Sequence, residues 1–258
     1  MAQARKRFGQ HFLHDPAIIA RIVAALNPQP GETVVEIGPG RGALTRPLLE
    51  RTQRLHVVEI DRDLVARLPE IAAGRDLVIH QADVLDFDFS SIAQGGRLRL
   101  VGNLPYNIST PLMFQVIDHS DAIADAVFML QKEVAERIVA QPGTKDYGRL
   151  SVMVQWRMRV EHLFDVGPGA FQPPPKVQSS VIRMTPRAPA EILRVDRERF
   201  SRVVQSAFAQ RRKTLRNSLR GVIDDAEFAR TGIDPARRAE TLSLEEFAAL
   251  ANASERER

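Results

Sequence analysis

Residues 33–42 read Thr-Val-Val-Glu-Ile-Gly-Pro-Gly-Arg-Gly, a short apolar run followed at once by a loop with three glycines. A short apolar run of this kind is typical of a buried parallel strand. A glycine-rich turn directly after such a strand lets the backbone approach a nucleotide-like ligand at the start of the next helix. The loop by itself does not distinguish a dinucleotide from another nucleotide-like cofactor.

Apolar runs of the same kind recur along the chain and alternate with segments of helical character. The strand candidates cover residues 33–37, 55–60, 77–80, 98–101 and 126–130, with two longer candidates near 150–160 and 177–184. The helical candidates lie around residues 42–52, 62–73, 110–118 and 132–140. This alternation predicts an α/β fold with a doubly wound, Rossmann-like sheet that carries helices on both faces.

The segment 185–190, Thr-Pro-Arg-Ala-Pro-Ala, ends the alternation, and the residues after it show only helical periodicity. We therefore predict two domains, a Rossmann-like catalytic domain over residues 1–187 and a small all-helical C-terminal domain over residues 188–258. In the second domain Arg212, Arg216 and Arg220 recur at helical spacing, so we expect them on one face of a helix.

The composition excludes several classes of chemistry. The chain has no cysteine, which rules out disulfides, thiolate metal sites, iron–sulfur clusters and cysteine nucleophiles. No apolar run approaches the roughly 20 residues of a membrane span, and no signal-peptide pattern follows the first residues. We expect a soluble, cytoplasmic protein without a bound metal.

The basic residues are concentrated in two segments, although the formal net charge is only +4. Residues 1–14 hold three Lys or Arg and no acid, and residues 187–220 hold ten Lys or Arg against three acids. Such a separation of charge indicates a surface for a polyanion. Solvated helix faces without a partner are the alternative explanation.

Acidic residues near the glycine loop favour one cofactor class. Glu36 stands two residues before Gly38, where a carboxylate would repel a pyrophosphate but attract, directly or through water, the ammonium or sulfonium of S-adenosylmethionine. Glu59 ends the second strand, where an acid accepts the ribose hydroxyls of either cofactor class. Asp83 follows the third strand and is placed to reach an adenine amine. Helix capping is the alternative for Glu59 and Asp83, and it is the preferred explanation for Asp61.

The fourth strand runs into residues 102–107, Gly-Asn-Leu-Pro-Tyr-Asn, the most specific pattern in the chain. The exocyclic N6 amine of adenine is a poor nucleophile because its lone pair is delocalised into the ring. The side-chain carbonyl of Asn103 and the backbone carbonyl of Leu104 can accept its two hydrogens, and Tyr106 can stack on the base. Orientation and electrostatics then supply the catalysis without an ionisable base. A turn that merely closes the strand is the alternative.

Several motifs together resemble the family of bacterial small-subunit ribosomal RNA adenine N6-dimethyltransferases, from about residue 5 to residue 250. The motifs are residues 5–13 (Arg-Lys-Arg-Phe-Gly-Gln-His-Phe-Leu), 36–42, 58–61, 102–110, 171–177 (Phe-Gln-Pro-Pro-Pro-Lys-Val) and 210–217 (Gln-Arg-Arg-Lys-Thr-Leu-Arg-Asn). The resemblance implies dimethylation of two adjacent adenosines in a hairpin loop near the 3′ end of the small-subunit (16S) rRNA. It also implies that S-adenosylmethionine is the methyl donor.

The resemblance further implies roles for individual residues. His11 and Leu13 would belong to a segment that closes over the cofactor, although Asn is also common at the position of His11. Phe171 would be a second aromatic face against the target base, although a phenylalanine is more often found in the apolar core, which is the alternative. We expect Phe171 to stack on the base and to be partly exposed, because a stiff proline run, residues 173–175, follows it. The remaining cofactor contacts would be Gly38, Gly40, Glu59, Asp83 and Asn103. The residues that bind the phosphates of ribosomal RNA would be Arg211, Arg212, Lys213 and Arg216.

The expected partners are small-subunit rRNA and the assembling 30S particle, and we expect a monomer. Alternative enzyme functions are N6 methylation of DNA, methylation of a protein glutamine, and methylation of large-subunit RNA as in macrolide-resistance enzymes. A ribosome assembly factor that only binds is disfavoured by the intact glycine loop and by residues 103–106. An NAD-dependent oxidoreductase is disfavoured by Glu36 and by the lack of an evident hydride-transfer site.

Overall fold

The structure, a computed structural model, describes residues 11–93 and 95–253. Within these residues seven strands form one mixed sheet in the order β4-β3-β2-β5-β6-β9-β7, and two short strands, β1 and β8, pair separately. The strands are β1 (Phe12–Leu13), β2 (Thr33–Ile37), β3 (Arg54–Glu59), β4 (Asp76–Gln81), β5 (Leu98–Asn103), β6 (Ile123–Gln131), β7 (Met158–Val166), β8 (Phe171–Gln172) and β9 (Ser179–Pro186).

The helices alternate with these strands and then follow one another without strands after β9. They are α1 (Pro16–Leu26), α2 (Thr45–Leu49), α3 (Arg62–Val65), α4 (Leu68–Ala72), α5 (Ser90–Ala93), α6 (Ser109–Asp118), α7 (Lys132–Val139), α8 (Arg149–Arg157), α9 (Arg197–Phe208), α10 (Leu215–Ser218), α11 (Asp225–Thr231) and α12 (Leu244–Asn252). In the part of the chain that the structure describes, no helix is long and apolar enough to cross a bilayer.

The sheet confirms the predicted Rossmann-like class. Strands β4, β3, β2, β5 and β6 run parallel, and β9 joins β6 in the antiparallel direction. The central strands are apolar on both faces because helices cover both faces of the sheet. The chain order reverses between β2 and β5, and in sheets of this type ligands bind at the carboxyl ends of the strands at that point.

The predicted strand near residues 150–160 is wrong over most of its length. Residues 149–157 form helix α8, and the strand β7 begins only at Met158. Five of the nine residues of α8 are buried, so the segment is apolar on several sides. The apolar residues at 150, 152–154 and 156 give both an alternation and a short run, a pattern that does not separate a strand from a buried helix.

The chain divides into two compact units. The first unit holds the residues up to Ala135 together with Arg159–Pro186, and the second holds Glu136–Met158 together with the residues from Arg187 onward. Residues 136–158, which the sequence prediction placed in the first domain, therefore belong to the second unit. The physical reason is the packing of α8 against α9 and α12, which buries the apolar sides of α8.

The basic helix predicted around Arg212 is interrupted. Helix α9 ends at Phe208 and α10 begins at Leu215, so residues 209–214 form a non-helical connection. Arg212 lies in this connection, Arg216 on α10 and Arg220 beyond its end, and the three do not share one helix face. Arg5, Lys6 and Arg7, the basic residues of the predicted N-terminal motif, lie outside the described residues.

Candidate active site

A cavity of about 270 Å³ lies in the first unit at the carboxyl ends of β2, β3 and β5. The loops that follow these strands and β4 form its walls, as expected for the point where the strand order reverses. Most of the residues predicted to bind the cofactor or the target base line it, namely His11, Gly38, Gly40, Glu59, Asp83, Asn103, Leu104 and Tyr106. The structure therefore brings together residues that are up to 95 positions apart, from His11 to Tyr106.

Two glycines make close approach possible at this cavity. Gly40 has a φ of 57°, a conformation that favours glycine, and a side chain there would press on the ring of Phe12 at 3.3 Å. Gly102 lies on β5 beside β2, where a Cβ atom would come within 2.6 Å of the carbonyl oxygen of Ile37. The absence of a side chain at Gly102 lets the ends of β2 and β5 lie close together, which places Asn103 beside the glycine loop.

Glu59 presents a fixed acceptor to the cavity. One carboxylate oxygen accepts a hydrogen bond from the Asp61 backbone N–H at 2.9 Å, and the other accepts from the Gly40 N–H at 3.4 Å. Burial raises the pKa of Glu59, and these backbone donors oppose that rise. Each carboxylate oxygen retains a further lone pair, so Glu59 can accept hydroxyl hydrogens while the backbone holds it in place.

Asp61 and Asp83 both cap the turn or helix that follows them, and capping does not prevent Asp83 from also binding a ligand. The Asp61 side chain accepts from the Asp63 N–H and caps α3, as preferred from the sequence. Asp83 accepts from the Leu85 N–H at 3.0 Å and starts a short 3-10 turn, and it also lines the cavity. Capping fixes the position of Asp83 and leaves its second carboxylate oxygen available to a ligand.

Glu36 is buried beside the cavity and does not line it. Its side chain is only 1% exposed, does not line the cavity, and accepts a hydrogen bond from Thr45 Oγ1 at 2.7 Å. Burial raises the pKa of Glu36 to about 8, with the neighbouring Glu59 carboxylate adding to the rise. The side chain of Glu36 therefore does not reach the cavity directly, and its attraction of a cationic cofactor group through water stays a prediction.

Glu36 should make stability depend on pH. Between the ordinary pKa of 4.5 and the raised value of about 8, the folded protein keeps a proton that the unfolded chain has released. The free energy of unfolding should therefore fall as pH rises through this window. Glu36→Gln keeps an acceptor for Thr45 and does not titrate. It should therefore remove the part of the decrease in the free energy of unfolding that Glu36 causes. Denaturant unfolding of both proteins at several pH values across the window measures it, and parallel curves would contradict the prediction.

Asn103 is held by the backbone of the N-terminal segment. Its side-chain Nδ2 donates a hydrogen bond to the His11 carbonyl oxygen at 3.0 Å. Since only the amide nitrogen can donate to a carbonyl, this contact fixes which way the amide faces and leaves Oδ1 as an open acceptor. The Leu104 N–H donates to the Met129 carbonyl on β6 at 2.9 Å, and no described residue donates a hydrogen bond to the Leu104 carbonyl.

Aromatic rings stand next to these acceptors. Tyr106 is half-buried, and its hydroxyl lies 3.2 Å from Ser179 Oγ. The His11 ring lies 5.5 Å from the Tyr106 ring at an angle of 31°, and its Nδ1 donates to the Pro173 carbonyl at 2.8 Å. His11 is thus a structural link between the cofactor side of the cavity and Tyr106, and its position could not have been derived from local sequence.

Two predicted site residues lie in the apolar core instead. Leu13 on β1 pairs with Phe171 on β8, and the two side chains are 5% and 3% exposed within one cluster of buried residues. Neither lines the cavity. The expected exposure of Phe171 is wrong because β8 pairs with β1, and this pairing turns the ring inward while the next residue, Gln172, faces solvent.

Sequence reasoning missed most of the apolar lining of the cavity, of which Phe12 and Ile60 are examples. Phe12 lies against Gly40, with the Arg41 guanidinium 4.2 Å above its ring. Ile60 lines the cavity and is 47% exposed, an unusual position for a large apolar side chain. The signal for Ile60 was present in the sequence, because it directly follows the strand end at Glu59, whereas nothing local marked Phe12.

The predicted RNA-binding residues lie on the second unit and are exposed. Arg212 and Lys213 have no ion pair with any described residue. An Arg211 terminal nitrogen donates to the Lys145 carbonyl, and its Nε lies 3.9 Å from Glu240. Arg216 forms a more exposed pair with Asp225 at 3.0 Å. Arg212 and Lys213 are thus the most available cations of this group.

Comparison with known proteins extends these observations. The family model described as ribosomal RNA adenine dimethylase matches residues 1–255. A relative from Laribacter hongkongensis, ribosomal RNA small subunit methyltransferase A, is 58% identical over 248 residues, covering 96% of this chain and 95% of its own length.

Two solved structures share the fold over nearly the whole chain. A dimethyladenosine transferase from Plasmodium falciparum aligns with a TM-score of 0.79 at 26% identity, covering 93% of this chain and 96% of its own. The 23S rRNA methyltransferase ErmE aligns with a TM-score of 0.71 at 27% identity, covering 95% and 100%. With the family match over nearly every residue, the chain belongs to the ribosomal RNA adenine dimethylase family and is an S-adenosylmethionine-dependent rRNA methyltransferase.

Proposed function

We propose that this enzyme dimethylates the N6 amine of two adjacent adenosines in the 3′-terminal hairpin loop of small-subunit (16S) rRNA during ribosome biogenesis. The observation that carries the proposal is the fixed amide of Asn103 beside the open carbonyl of Leu104 at the cavity. Two acceptors at this position suit an amine with two hydrogens. The relative from Laribacter hongkongensis, a small subunit methyltransferase by name, supports the choice of the small subunit.

The residues of the cavity fit S-adenosylmethionine. Glu59 offers acceptors for the ribose hydroxyls, and Asp83 offers one for the adenine amine. The exposed side chain of Ile60 provides an apolar surface for the adenine ring, and Gly38 and Gly40 leave room for the chain of the methionine moiety. His11 and Phe12 close the cavity on the N-terminal side. When bound, S-adenosylmethionine supplies a methyl group on a positively charged sulfur.

Asn103 and Leu104 would then prepare the target amine. Asn103 Oδ1 accepts one N–H hydrogen and the Leu104 carbonyl accepts the other, which favours a pyramidal nitrogen whose lone pair is no longer delocalised into the ring. Tyr106 stacks on one face of the adenine. The target nucleotide must leave any stack to reach these groups, which suits an unpaired loop of RNA.

The second unit would hold the ribosomal RNA through phosphate contacts. Phosphate contacts position a protein on RNA without reading sequence, and Arg211, Arg212, Lys213 and Arg216 are exposed cations on this unit. We further propose that the enzyme acts as a monomer in the cytoplasm and that its partner is the assembling 30S particle.

Neutralising Arg211, Arg212 and Lys213 should reduce the salt dependence of RNA binding. If each contacts one phosphate, the log-log slope of affinity against salt concentration should fall by about 2 to 3, at about 0.7 to 0.9 per contact. Filter binding or fluorescence anisotropy over a range of salt concentrations measures the slope. If the slope of the triple variant equals that of the wild type, the rRNA-binding surface lies elsewhere on the protein.

Mass analysis of small-subunit rRNA from cells that lack this protein tests the proposed function. The two adenosines of the 3′-terminal loop should then carry no methyl groups, and the gene with Asn103→Ala should not restore them. If dimethyladenosine persists at both positions in the deleted strain, the proposed substrate is wrong.

A further inference from the structure

The first residue of β9 is a serine whose side chain is buried at the active-site edge of the sheet. Ser179 is 1% exposed and lies opposite Gln131, the last residue of β6, in the antiparallel pair of β6 and β9. Because β6 runs parallel to β5, its end lies at the same edge of the sheet as residues 104–108, which follow β5. Ser179 does not line the cavity, but it lies next to residues that do.

One contact satisfies the Ser179 hydroxyl. Its Oγ lies 3.2 Å from the hydroxyl oxygen of Tyr106, which lines the cavity. Within residues 11–93 and 95–253, each of these two hydroxyls is the only hydrogen-bond partner of the other. A buried hydroxyl without a partner is destabilising, and the next residues of β9, Val181 and Ile182, are apolar. The packing of the strand by itself therefore gives no reason for a serine at this position.

The contact with Ser179 holds the far end of the Tyr106 side chain. The near end is held by the turn that carries it, in which the Ile108 N–H donates to the Pro105 carbonyl at 3.2 Å. The long axis of the Tyr106 ring is thus fixed between its backbone and its hydroxyl. Stacking on a base needs only an aromatic face, which a phenylalanine also provides. The hydroxyl is the part of Tyr106 that stacking leaves unexplained.

A ring that is fixed in the free enzyme has two consequences for methyl transfer. An ordered side chain loses little further freedom when a base stacks on it. The ring also sets where the adenine plane lies relative to Asn103 Oδ1 and the Leu104 carbonyl. A displacement of about 1 Å between reacting groups can slow a reaction about a hundredfold. The direction of the Tyr106 ring therefore bears on the rate of transfer as well as on binding of the base.

We propose that Ser179 is a positioning residue for methyl transfer, acting through its hydroxyl contact with Tyr106 to hold the ring where the target adenine stacks. The stacking role of Tyr106 rests on the proposed function, whereas the contact rests on geometry alone. The antiparallel strand β9 thereby contributes to an active site that is otherwise built at the ends of parallel strands.

NMR of the tyrosine rings tests the contact in the free enzyme. The chain has only two tyrosines, so protein labelled with 13C in the tyrosine rings gives one set of signals for Tyr106 and one for Tyr147. The Tyr147→Phe variant assigns them. Ser179→Ala should shift the Tyr106 signals and increase the mobility of that ring, while the Tyr147 signals stay in place. If the Tyr106 signals do not change, Ser179 does not hold the ring and the proposal is wrong.

Single-turnover methylation tests the consequence for the reaction. Ser179→Ala and Tyr106→Phe should each lower the maximal rate about threefold to tenfold, the size of one hydrogen bond between neutral groups. The Kd of the methyl donor for Ser179→Ala should equal that of the wild type, because Ser179 does not line the cavity. Both variants lose the same contact, so the double variant should be no slower than the slower single variant. Losses that multiply would give the two hydroxyls separate roles and overturn the proposal.

Ser180→Ala is the matched control for strand stability. Ser180 is the next residue of β9 and is equally buried, but its hydroxyl donates to Asp165 at 2.7 Å. Ser180→Ala should lower the melting temperature at least as much as Ser179→Ala and still transfer methyl groups at the wild-type rate. Ser179→Thr keeps a hydroxyl and should recover most of the rate. Equal rate losses in Ser179→Ala and Ser180→Ala, or a Ser179→Thr protein that melts normally but stays slow, would contradict the positioning role.

Tyr106→Ala separates the positioning role of Ser179 from the proposed function. It removes the ring and should slow transfer far more than Tyr106→Phe does. If it is slow while Ser179→Ala and Tyr106→Phe react as the wild type does, the positioning role fails and base stacking stands. If Tyr106→Ala itself reacts at the wild-type rate, base stacking fails and the role of Ser179 fails with it. The rates are measured on unmethylated rRNA that the wild type methylates, so an error in the proposed position of the methyl groups changes neither result.

Discussion

Asn103→Ala is expected to slow methyl transfer about a hundredfold to a thousandfold while the fold and most of the affinity for the methyl donor are retained. The size is that of removing one well-placed hydrogen-bonding group from a transition state. The side chain is anchored to the His11 carbonyl, so its Oδ1 is already oriented in the protein as it stands. Losing it removes both the acceptor for the target amine and the contact that orders the N-terminal segment.

The measurement combines single-turnover rates with calorimetric titration of S-adenosylmethionine. Glu59→Gln is the contrasting variant, because it changes an acceptor on the cofactor side and should mainly weaken donor binding. Asn103→Asp is the matched variant. It retains oxygen acceptors but loses the N–H donor to His11, so it should remain far slower than the wild type. A nearly normal rate of methyl transfer by Asn103→Ala would contradict the proposed mechanism.

Phe171→Ala is expected to lower the free energy of unfolding by about 3 to 5 kcal/mol, the usual cost of truncating a buried phenylalanine. The ring is 3% exposed and packs with Leu13 in the apolar core. Activity should fall in proportion to the loss of folded protein. A further effect should come through β1, because β8 pairs with it and thereby holds His11 next to Asn103.

Thermal and denaturant unfolding of Phe171→Ala, measured beside methylation rates, decide between core packing and base stacking. Phe171→Leu is the matched control, since leucine fills most of the space but offers no flat face. Core packing predicts that leucine recovers most of the stability and most of the rate. An alanine variant that melts like the wild type but reacts slowly would instead assign Phe171 to the target base.

The sequence was most informative where structure and chemistry are local. The strands β2, β3, β4 and β5 lie within two residues of their predicted bounds, because each is a short run rich in Val, Ile and Leu between turn residues. Glu59, Asp83 and Asn103 follow from the same logic, since parallel strands bring their carboxyl ends to one edge of the sheet. The site could be placed there without knowledge of any distance.

Burial of individual side chains was decided by tertiary pairing. The proline run after Phe171 suggested an exposed segment, but a strand contact with residues 12–13, about 160 positions earlier, turns the ring into the core. Glu36 was predicted to attract the cofactor because it stands two residues before Gly38 in the sequence. In the structure its carboxyl accepts a hydrogen bond from Thr45 on α2. Sequence spacing gives the end of a strand but not the direction in which a side chain leaves it.

By itself, the sequence determined the class of the fold and which polar residues stand at the carboxyl edge of the sheet, because these depend on local patterns of apolar, glycine and polar residues. Only the tertiary structure decided that His11 orients Asn103, that residues 136–158 pack with the C-terminal helices, and that Ser179 lies against the Tyr106 hydroxyl. Each of these depends on segments far apart in the chain, whose contacts are selected by the shape and burial of the whole core rather than by the residues next to them.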